Sequence, residues 1–479
     1  MSKYFAFLYL FFFFYVQNID AQIPQLWGMT STGGIPYKTA RPYGTIFKIN
    51  LDGSGFDVTH SFDGYTGEAP NGNLIQASNG LLYGLTSIGG KNGAGIIFSI
   101  DPSNLNYVDE YDFDNTHGAE PFGSLVQDSN GILYGMTYSG GTYTDGVVFC
   151  FNPANNSYYD LHDFNFTDGA EPYFGSLIQA TNGILYGLTN KGGSGSIGYG
   201  VIFSLNPSDS VFQVLYNFDG TNGQYPYGSL MQAANGKLYG MCHSNTTGGS
   251  GVIFSFNPDS NSYKALYTFG NPAQAYPYGN FLQMGATKLY GMTFSGGLLK
   301  NGMIFSFDID SNTIKDIYDF EGLYSGAFPY GNLIQASNNK LYGMTYQGGI
   351  GIGNIFSYNI DSNSYTDIHD FNDTAGSNPL GSLIEITATA GINQLSSNNF
   401  QLLIYPNPSS SQINISCSIN IDVLKIIDLL GQTIYVTHPK QRQFSFKLEH
   451  DGIYFAAITS GDKTITRQFS IISRCFFFR

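Results

Sequence analysis

The chain has 479 residues, a formal net charge of -15, and 11% charged residues, against roughly 25% in an average soluble protein. This acidic balance excludes nucleic acid as the partner, because binding phosphates requires a basic surface. Aromatic residues make up 16% of the chain and glycine occurs 60 times. This mixture favours short strands joined by tight turns, and therefore an all-β fold.

The N-terminus carries Lys3, then an unbroken apolar run over residues 4–16, then a small residue at Ala21. The run is too short to cross a bilayer as a helix, which takes about 20 residues. A positive start, a short apolar segment and a small residue before the cut are typical of a secretory signal peptide. We therefore predict a signal peptide over residues 1–21, export of the chain, and no transmembrane segment after its removal.

A Leu-aromatic-Gly tripeptide recurs seven times along the chain, 51 to 56 residues apart. Its copies are Leu26-Trp27-Gly28, Leu82-Tyr83-Gly84, Leu133-Tyr134-Gly135, Leu185-Tyr186-Gly187, Leu238-Tyr239-Gly240, Leu289-Tyr290-Gly291 and Leu341-Tyr342-Gly343. A repeat of this period predicts one supersecondary unit per copy, which buries its apolar face only by stacking on its neighbours.

Each repeat contains four short apolar segments in a fixed order, bounded by Gly, Pro, Asn or Ser. Examples of the first to fourth segments are residues 121–127, 133–137, 302–307 and 316–320. Runs of about five residues between such turn residues are typical of β-strands, and Ser-Asn-Gly and Asn-Pro-Asp turns are typical of hairpins. One repeat therefore predicts a four-stranded antiparallel sheet.

The two ends of the repeat array complement each other. The first unit lacks a copy of the first segment, and a lone copy, residues 379–384, follows the last complete unit. If that copy completes the first sheet, every segment occurs seven times and no sheet edge is left open. We predict a seven-bladed β-propeller of four-stranded blades over residues 22–386, closed by the last strand completing the first blade.

In such a propeller the longer loops share one face, which we take as the binding surface. The residue before the glycine of the first segment is aromatic in five of the seven repeats. These candidate ligand-binding residues are Phe122, Phe174, Tyr227, Tyr278 and Tyr330. If the first segment lines the channel, the five rings surround its mouth and suit a glycan or a peptide. Packing between blades is the favoured alternative, since buried aromatic residues usually serve packing.

Histidines and carboxylates do not make a metal site in this sequence. His60, His162 and His369 fall in a column that holds tyrosine in the other four repeats, which indicates a structural aromatic position. Acidic residues between blades, such as Asp163 and Glu171, could bind calcium but follow no EF-hand spacing. Asp, Asn and Gly are ordinary turn residues, so a turn role is favoured. We predict no metal and no cofactor.

No catalytic motif emerges from the sequence. Residues 193–198 fit GxGxxG but lie between two predicted strands instead of opening a helix, so the match is a false positive. The sequence contains no GxSxG, HExxH or Walker motif, and we assign no catalytic residue. A carboxylate pair for glycoside hydrolysis stays open, because residues of different blades meet only in the fold. Cys150 and Cys242 occupy different positions in non-adjacent repeats, which predicts free thiols.

The charge balance changes sign beyond the repeats. Residues 396–479 carry 8 Lys/Arg and 5 Asp/Glu, which leaves 12 and 30 in the preceding part of the chain. The repeat region is therefore near -18 and the tail near +3. We predict a linker over residues 387–401 and a small β-sandwich domain over residues 402–479.

Three short motifs occur in order along this tail. They are Tyr-Pro-Asn-Pro from residue 405, Gly-Ile-Tyr-Phe from residue 452 and Lys-Thr-Ile-Thr-Arg-Gln-Phe from residue 463. Together they resemble the type A C-terminal sorting domain of the type IX secretion system. The resemblance implies passage across the outer membrane by the type IX machinery, followed by removal of the domain. The residues that carry it are Pro406, Asn407, Pro408, Gly452, Tyr454, Lys463 and Arg467.

The Leu-Tyr-Gly-Met-Thr and Gly-x-Ile-Phe-Ser phrases over residues 26–383 resemble the tandem-repeat family called GloVer, found on exported bacterial proteins. The resemblance implies surface exposure and offers no established activity. We predict a secreted or outer-cell-surface binding module with a glycan or protein ligand, rather than an enzyme. One alternative is a polysaccharide hydrolase or lyase, which should break the repeat symmetry. Another is a structural surface protein without a small ligand.

Overall fold

The computed structural model describes residues 24–34, 43–195, 197–270, 275–349, 351–386, 402–405, 412–428, 432–448, 452–460 and 463–471. The predicted signal peptide, 1–21, and linker, 387–401, lie outside these residues. The chain divides into two compact units, one within Ile23–Thr387 and the other within Ala388–Arg479. The regular elements of the described residues are all β-strands, which confirms the all-β prediction.

The first unit has 28 strands among the described residues. In chain order they are β1 (Gln25–Thr30), β2 (Thr45–Asn50), β3 (Asp57–Ser61), β4 (Ile75–Gln76), β5 (Leu82–Thr86), β6 (Ile96–Ile100), β7 (Tyr107–Asp112), β8 (Val126–Gln127), β9 (Leu133–Thr137), β10 (Val147–Asn152), β11 (Ser157–Asp163), β12 (Ile178–Gln179), β13 (Leu185–Thr189), β14 (Val201–Asn206), β15 (Val211–Asn217), β16 (Met231–Gln232), β17 (Leu238–Cys242), β18 (Val252–Asn257), β19 (Ser262–Thr268), β20 (Leu282–Met284), β21 (Lys288–Thr293), β22 (Met303–Asp308), β23 (Thr313–Asp319), β24 (Ile334–Gln335), β25 (Leu341–Thr345), β26 (Asn354–Asn359), β27 (Ser364–Asp370) and β28 (Ile384–Ile386).

These strands form seven four-stranded antiparallel sheets within the described residues. Six sheets take four consecutive strands each, and we number them sheet 2 (β4–β7), sheet 3 (β8–β11), sheet 4 (β12–β15), sheet 5 (β16–β19), sheet 6 (β20–β23) and sheet 7 (β24–β27). Sheet 1 has the order β28-β1-β2-β3, so the last strand of the unit pairs with the first. In this pair Gln25 faces Ile386, and Trp27 faces Ile384.

The first segment of each repeat forms a shorter ladder than the sequence predicts. In sheet 3 the predicted strand covers 121–127, but β8 contains only Val126–Gln127. Upstream of it, the Cα of Gly123 lies against the carbonyl oxygen of Gly175, which belongs to the next repeat. A side chain at Gly123 would collide with that carbonyl group, so here the chain packs on the neighbouring repeat instead of on its own sheet.

The Leu-Tyr-Gly tripeptide is explained by packing inside each sheet. In sheet 3, Leu133 is fully buried, and a Cβ on Gly135 would lie 2.5 Å from Cζ of Phe149. Glycine therefore leaves the space that the phenylalanine ring fills. In sheet 2 the Tyr83 hydroxyl accepts a hydrogen bond from Nδ2 of Asn79 at 2.9 Å, across the Asn-Gly turn. The Tyr side chain thus fixes the hairpin that precedes it.

The hydrophobic core lies between neighbouring sheets. One cluster joins Tyr83 of sheet 2 to Phe149 of sheet 3, and both rings are at most 1% exposed. Another joins Phe47 of sheet 1 to Tyr342 of sheet 7, both fully buried. Truncating a buried ring of this kind to alanine typically costs about 3–5 kcal/mol. The same type of interface therefore holds sheet 2 to sheet 3 and sheet 7 to sheet 1.

The second unit contains two sheets around one core. Its strands are β29 (Leu402–Tyr405), β30 (Gln412–Ile421), β31 (Val423–Asp428), β32 (Thr433–Thr437), β33 (Gln441–Lys447), β34 (Gly452–Ser460) and β35 (Lys463–Ile471). The sheet orders are β29-β30-β33 and β32-β31-β34-β35. Ile413 and Ile415 from the first sheet share a buried cluster with Leu424 and Ile458 from the second.

Candidate functional site

The first segments of the seven repeats meet around one narrow cavity, to which every repeat contributes residues. The glycine of each segment packs against the carbonyl group of the next. The order is Gly72, Gly123, Gly175, Gly228, Gly279, Gly331, Gly381 and again Gly72. This close approach explains why glycine recurs here, since a Cβ would collide with the neighbouring backbone.

Hydrogen bonds join the residues that follow these glycines. A backbone N–H donates to the side-chain oxygen of the next repeat at 2.5–2.8 Å. These links run from Asn73 to Ser124, Ser124 to Ser176, Ser176 to Ser229, Asn280 to Asn332, Asn332 to Ser382 and Ser382 to Asn73. Ser and Asn both offer the acceptor oxygen that the position requires.

The five predicted aromatic residues lie together at one end of this cavity, and all five side chains are partly exposed. Ring centroids are 4.8 Å apart for Tyr227 and Tyr278, 4.9 Å for Tyr278 and Tyr330, and 5.7 Å for Phe122 and Phe174. Phe174 and Tyr330 complete the connection at 5.9 Å. The structure therefore brings the whole predicted column into one cluster.

One member of the column occupies a different place from its equivalents. The repeat of sheet 4 has one additional residue between Pro172 and Gly175. Tyr173 lies between Phe122, at 4.8 Å, and Tyr227, at 5.5 Å, where the repeat pattern placed Phe174. Tyr173 thus takes the ring position beside Tyr227, while Phe174 lines the cavity with Phe122, Tyr278 and Tyr330.

A second aromatic column, which sequence reasoning missed, surrounds the first. It is the residue after the Thr or Cys that ends the second strand of each sheet. Its members are Ser31, Ser87, Tyr138, Asn190, His243, Phe294 and Tyr346. The four rings contact the first column, for example Tyr138 with Phe122 at 5.4 Å and Phe294 with Tyr330 at 4.8 Å. Aligning the repeats at this position would have revealed it.

A third column, the residue before the proline of the first segment, adopts the left-handed backbone conformation. Six of its members have φ between 49° and 59°, namely Ala69, Glu120, Glu171, Tyr225, Phe328 and Asn378. Residues other than glycine adopt this conformation at an energetic cost, and such strain tends to occur at functional sites. Phe328 contacts Phe294 at 5.0 Å, so this column also supplies rings to the cluster.

We call the connected set of rings the aromatic face. Its members are Phe122, Tyr138, Tyr173, Phe174, Tyr227, His243, Tyr276, Tyr278, Phe294, Phe328, Tyr330 and Tyr346. All twelve side chains are partly exposed. They come from sheets 3 to 7, whereas sheets 1 and 2 contribute Ser31 and Ser87 at the second column. The face is therefore asymmetric.

Charged groups lie at one side of the aromatic face. Glu171 pairs with Nζ of Lys191 at 2.8 Å and accepts a hydrogen bond from the Tyr138 hydroxyl at 2.9 Å. The hydroxyl of Ser139 donates to Glu120 at 3.3 Å. Two carboxylates, one ammonium group and two hydroxyls thus occur together. At the position of Glu120 and Glu171 the other repeats carry Ala, Tyr, Phe or Asn.

Burial shifts the protonation of several groups on the face. Burial, and then the hydrogen bond to Glu171, raises the pKa of Tyr138 to about 12. Burial raises the pKa of Tyr330 to about 12 and lowers the pKa of His243 to about 4. Near neutral pH the two tyrosines are therefore hydrogen-bond donors, and His243 is an uncharged ring.

The three histidines of one sequence column each stack on a ring of a neighbouring sheet. His60 lies 3.9 Å from Tyr107, His162 lies 3.6 Å from Phe212, and His369 lies 3.7 Å from Phe56. Tyrosines of the same column make the same stack, as in Tyr111 with Tyr158 and Tyr216 with Tyr263. The histidines lie in three separate sheets, and His162 also lies 3.2 Å, through Nε2, from a carboxylate oxygen of Asp168.

The inter-sheet carboxylates divide into two groups. Asp112 and Asp163 accept hydrogen bonds from the backbone N–H groups of Lys91 and Thr142, which fixes the Gly-Gly loops. Glu171, in contrast, lies on the aromatic face. Within the described residues no cluster of His, Cys, Asp or Glu is arranged to hold a metal ion. Cys150 and Cys242 are free thiols, as the sequence predicts.

The predicted sorting residues fall in and around the second unit. Pro406, Asn407 and Pro408 lie outside the described residues. Gly452 opens β34 opposite Ile471 of β35, and the Tyr454 side chain is 8% exposed. Lys463 begins β35, where Arg467 pairs with Ala456. No helix in the described part of the chain is long and apolar enough to cross a membrane.

Family comparison explains the repeats. Residues 16–198, 126–288 and 271–391 match the Gloeobacter/Verrucomicrobia repeat. The chain belongs to this family. The matches cover more than half of the chain and include every strand of the seven sheets, so the predicted resemblance is confirmed.

A second match covers the tail. Residues 403–472 match the secretion system C-terminal sorting domain, which confirms the second predicted resemblance. This domain marks a protein of the type IX secretion system that is secreted or located on the outer cell surface. The predicted localisation is therefore confirmed.

A solved structure shares the propeller-like fold of the repeat region. A putative 6-phosphogluconolactonase from Bacteroides fragilis is 16% identical with a TM-score of 0.51, over 77% of this chain and 99% of that protein. At this identity the likeness shows the fold alone. PorZ, a surface component of the type IX secretion system of Porphyromonas gingivalis, is 14% identical with a TM-score of 0.42, over 94% of this chain and 58% of PorZ. No curated protein matches the sequence.

Proposed function

We propose that this exported protein is a closed seven-bladed β-propeller, residues 22–386, that binds a ligand at the aromatic face. A signal peptide over residues 1–21 precedes it, and a linker, 387–401, leads to a sorting β-sandwich over 402–479. The pairing of β28 with β1 and the hydrogen bond from Ser382 to Asn73 support the closed ring. A closed ring has no open sheet edge and holds its loops rigidly.

The observation that carries the binding role is the exposure of the aromatic face. Rings in the sheet cores, such as Trp27 and Phe149, are at most 1% exposed, and rings stacked between two sheets, such as Tyr111 on Tyr158, are partly exposed only in pairs. The twelve rings of the aromatic face contact one another yet all remain partly exposed. Connected apolar surface on a soluble protein is typical of an interaction site. Packing between blades, the favoured explanation at the sequence level, accounts for pairs of partly exposed rings and not for one connected set drawn from five sheets.

The binding role is tested by arrays of glycans and peptides probed with the full chain. The test variant combines Tyr227→Ala, Tyr278→Ala and Tyr330→Ala. The control is Tyr324→Ala, because Tyr324 is 80% exposed and lies outside the aromatic face. A ligand bound by the wild type and the control but lost in the folded triple variant supports the proposal. Ligands bound equally by the triple variant, or no ligand at all, favour a structural surface protein.

A polysaccharide hydrolase or lyase is the second candidate, favoured by one observation. Glu120 and Glu171 place two carboxylates on the face where the other repeats carry no acid, which breaks the repeat symmetry. Carboxylate pairs cleave glycosides when they flank the bond. Release of new chain ends from polysaccharide by the wild type, abolished in both Glu120→Gln and Glu171→Gln, would establish this activity. Binding without cleavage would overturn it.

The sorting role of the tail rests on its motif residues. We infer that Pro406, Asn407, Pro408, Gly452, Tyr454, Lys463 and Arg467 form the signal that the type IX machinery reads. Truncation after residue 401 should leave the repeat region folded in the periplasm. Replacing Lys463 and Arg467 by alanine should reduce the fraction of protein at the cell surface. Unchanged surface display of both variants would contradict this role.

A further inference from the structure

The repeat of sheet 4 departs from the others at the centre of the aromatic face. Its additional residue puts Tyr173 into the ring position and leaves Phe174 with a left-handed backbone, φ 55°. A phenylalanine adopts this conformation at an energetic cost. A Cβ added at Gly175 would lie 3.4 Å from the carbonyl oxygen of Gly228, farther than at the other glycines of this column. The contact between neighbouring glycines is therefore looser here.

Phe174 extends across the cavity. Its ring contacts Tyr330, which belongs to sheet 7, three sheets further along the chain. It also contacts Phe122 of the preceding repeat and lines the cavity together with Tyr278. An aromatic side chain therefore spans the mouth, and a ligand on the face meets a floor instead of an open channel.

The cavity behind this floor offers a peptide little free strand edge, because six of the seven N–H groups at this position are already bonded. The N–H groups of Asn73, Ser124, Ser176, Asn332 and Ser382 already donate to side chains of neighbouring repeats. Strand addition needs such groups unpaired. What the face does offer is flat rings bordered by hydroxyl, carboxylate and ammonium groups, which suits sugar rings and their hydroxyls.

Charge selects among glycans. The repeat region, residues 22–386, carries 11 Lys/Arg and 29 Asp/Glu, so its field repels polyanions. On the face, Lys191 is already paired with Glu171 at 2.8 Å. The carboxylates of a uronic acid polymer would therefore be repelled by Glu120 and Glu171, because Lys191 is already paired and does not bind them. Neutral chains meet no such repulsion.

We propose that the aromatic face binds a neutral polysaccharide lengthwise, with Phe174 as the floor that keeps chain ends out of the channel. This inference rests on the proposed binding function. Lengthwise binding depends on the amount of polymer and not on the number of its ends. Removing the Phe174 ring should weaken binding about five- to tenfold, through lost ring contact with the sugars.

The test is electrophoresis of the full chain through gels that contain a neutral β-glucan, a neutral α-glucan, a galactomannan or polygalacturonate. A neutral polymer should retard the wild type and Tyr324→Ala, and retard Phe174→Ala about five- to tenfold less. Shortening that polymer at constant mass should not increase the retardation. Retardation by polygalacturonate, retardation that rises with the number of chain ends, or an unaffected Phe174→Ala would overturn the inference.

The remaining outcomes separate this inference from the binding function beneath it. If no polymer retards the wild type but a peptide array finds a ligand that the triple tyrosine variant loses, the glycan inference fails and the binding site stands. If a neutral polymer retards the triple variant as strongly as the wild type, the aromatic face is not the site and both fail. Near-ultraviolet circular dichroism of each variant establishes that its fold is intact.

Discussion

The backbone N–H of Ser382 donates to Oδ1 of Asn73 at 2.5 Å, across 309 residues of chain. Ser382 lies in the last copy of the first segment along the chain, and Asn73 lies in the earliest copy. Five further hydrogen bonds of the same kind join the copies between them. The last copy is thus bonded to the earliest by the same kind of hydrogen bond that links copies between them.

Asn73→Ala tests this contact. Ser382 is 4% exposed, so loss of the acceptor leaves its N–H buried and unpaired. The free energy of unfolding should fall by about 1–2 kcal/mol. Asn73→Ser is the matched control, because serine supplies the acceptor at this position in four other repeats, and it should cost less than half as much. Urea unfolding measures both, and equal stability of Asn73→Ala and wild type would contradict the role of the bond.

Gly135→Ala tests why glycine follows Leu and an aromatic residue in every repeat. The new Cβ would lie 2.5 Å from Cζ and 2.9 Å from Cε1 of Phe149, which is fully buried and has no room to move. Overpacking of this kind typically costs about 1–3 kcal/mol. Gly270→Ala is the control, since no atom of the described residues lies within 4 Å of its added Cβ, and it should change stability by less than about 0.5 kcal/mol. Similar melting temperatures for the two variants would show that the contact is unimportant.

The sequence predicts the sheets because their determinants are local and repeated. The apolar segments around Leu133 and Phe149 recur in the same order in every repeat, and the glycine between them follows an aromatic residue in every copy. The first segment is the exception. Its conformation depends on the approach of Gly123 to Gly175 in another repeat, and no local pattern reports such a contact.

The site is only partly predictable for the same reason. Tyr227, Tyr278 and Tyr330 stand out because one column holds aromatic residues in most repeats. Which of two adjacent rings, Tyr173 or Phe174, takes the common position depends on the backbone after the insertion. The left-handed column around Glu171 has mixed side chains, so only backbone geometry identifies it.

His60 should make stability depend on pH. Burial lowers the pKa of His60 to about 4, although nearby Asp63 acts in the opposite direction. In the unfolded chain the pKa is about 6.5. Between these two values the unfolded chain binds more protons, so stability falls as the pH drops from about 6.5 to about 4. The loss is at most about 3 kcal/mol. Chemical unfolding at pH 7 and pH 4.5 measures it.

His60→Tyr is the variant that isolates this effect. Tyrosine occupies the same column in four repeats and in three of them stacks on a ring of the neighbouring sheet, as Tyr111 does on Tyr158 at 4.1 Å. The variant should match the wild type at pH 7 and lose less stability at pH 4.5. Asp109, whose pKa burial raises to about 6, contributes equally to both proteins. Parallel losses in the two proteins would show that His60 does not titrate on unfolding.

Ala69→Gly tests the left-handed column before proline. Ala69 has φ 53°, a conformation that costs an alanine roughly 1–2 kcal/mol and glycine little. Glycine also increases the conformational entropy of the unfolded chain, which offsets part of the relieved strain. The substitution should therefore raise the free energy of unfolding by about 0.5–1 kcal/mol. Ala77→Gly, at a buried position without a left-handed backbone, should lower it. A loss of stability in Ala69→Gly would mean that the column is not strained.

A gain of stability in Ala69→Gly would bear on the site itself. Glycine would then fit this column better than Glu120, Glu171 or Phe328, each of which holds the same conformation. Each of these three strained residues places a carboxylate or a ring on the aromatic face. Glu171→Gly should accordingly leave the sheets folded, as circular dichroism would report, while it releases Lys191 and Tyr138 from their common partner and weakens ligand binding. Unchanged binding in that variant would place the ligand away from Glu171.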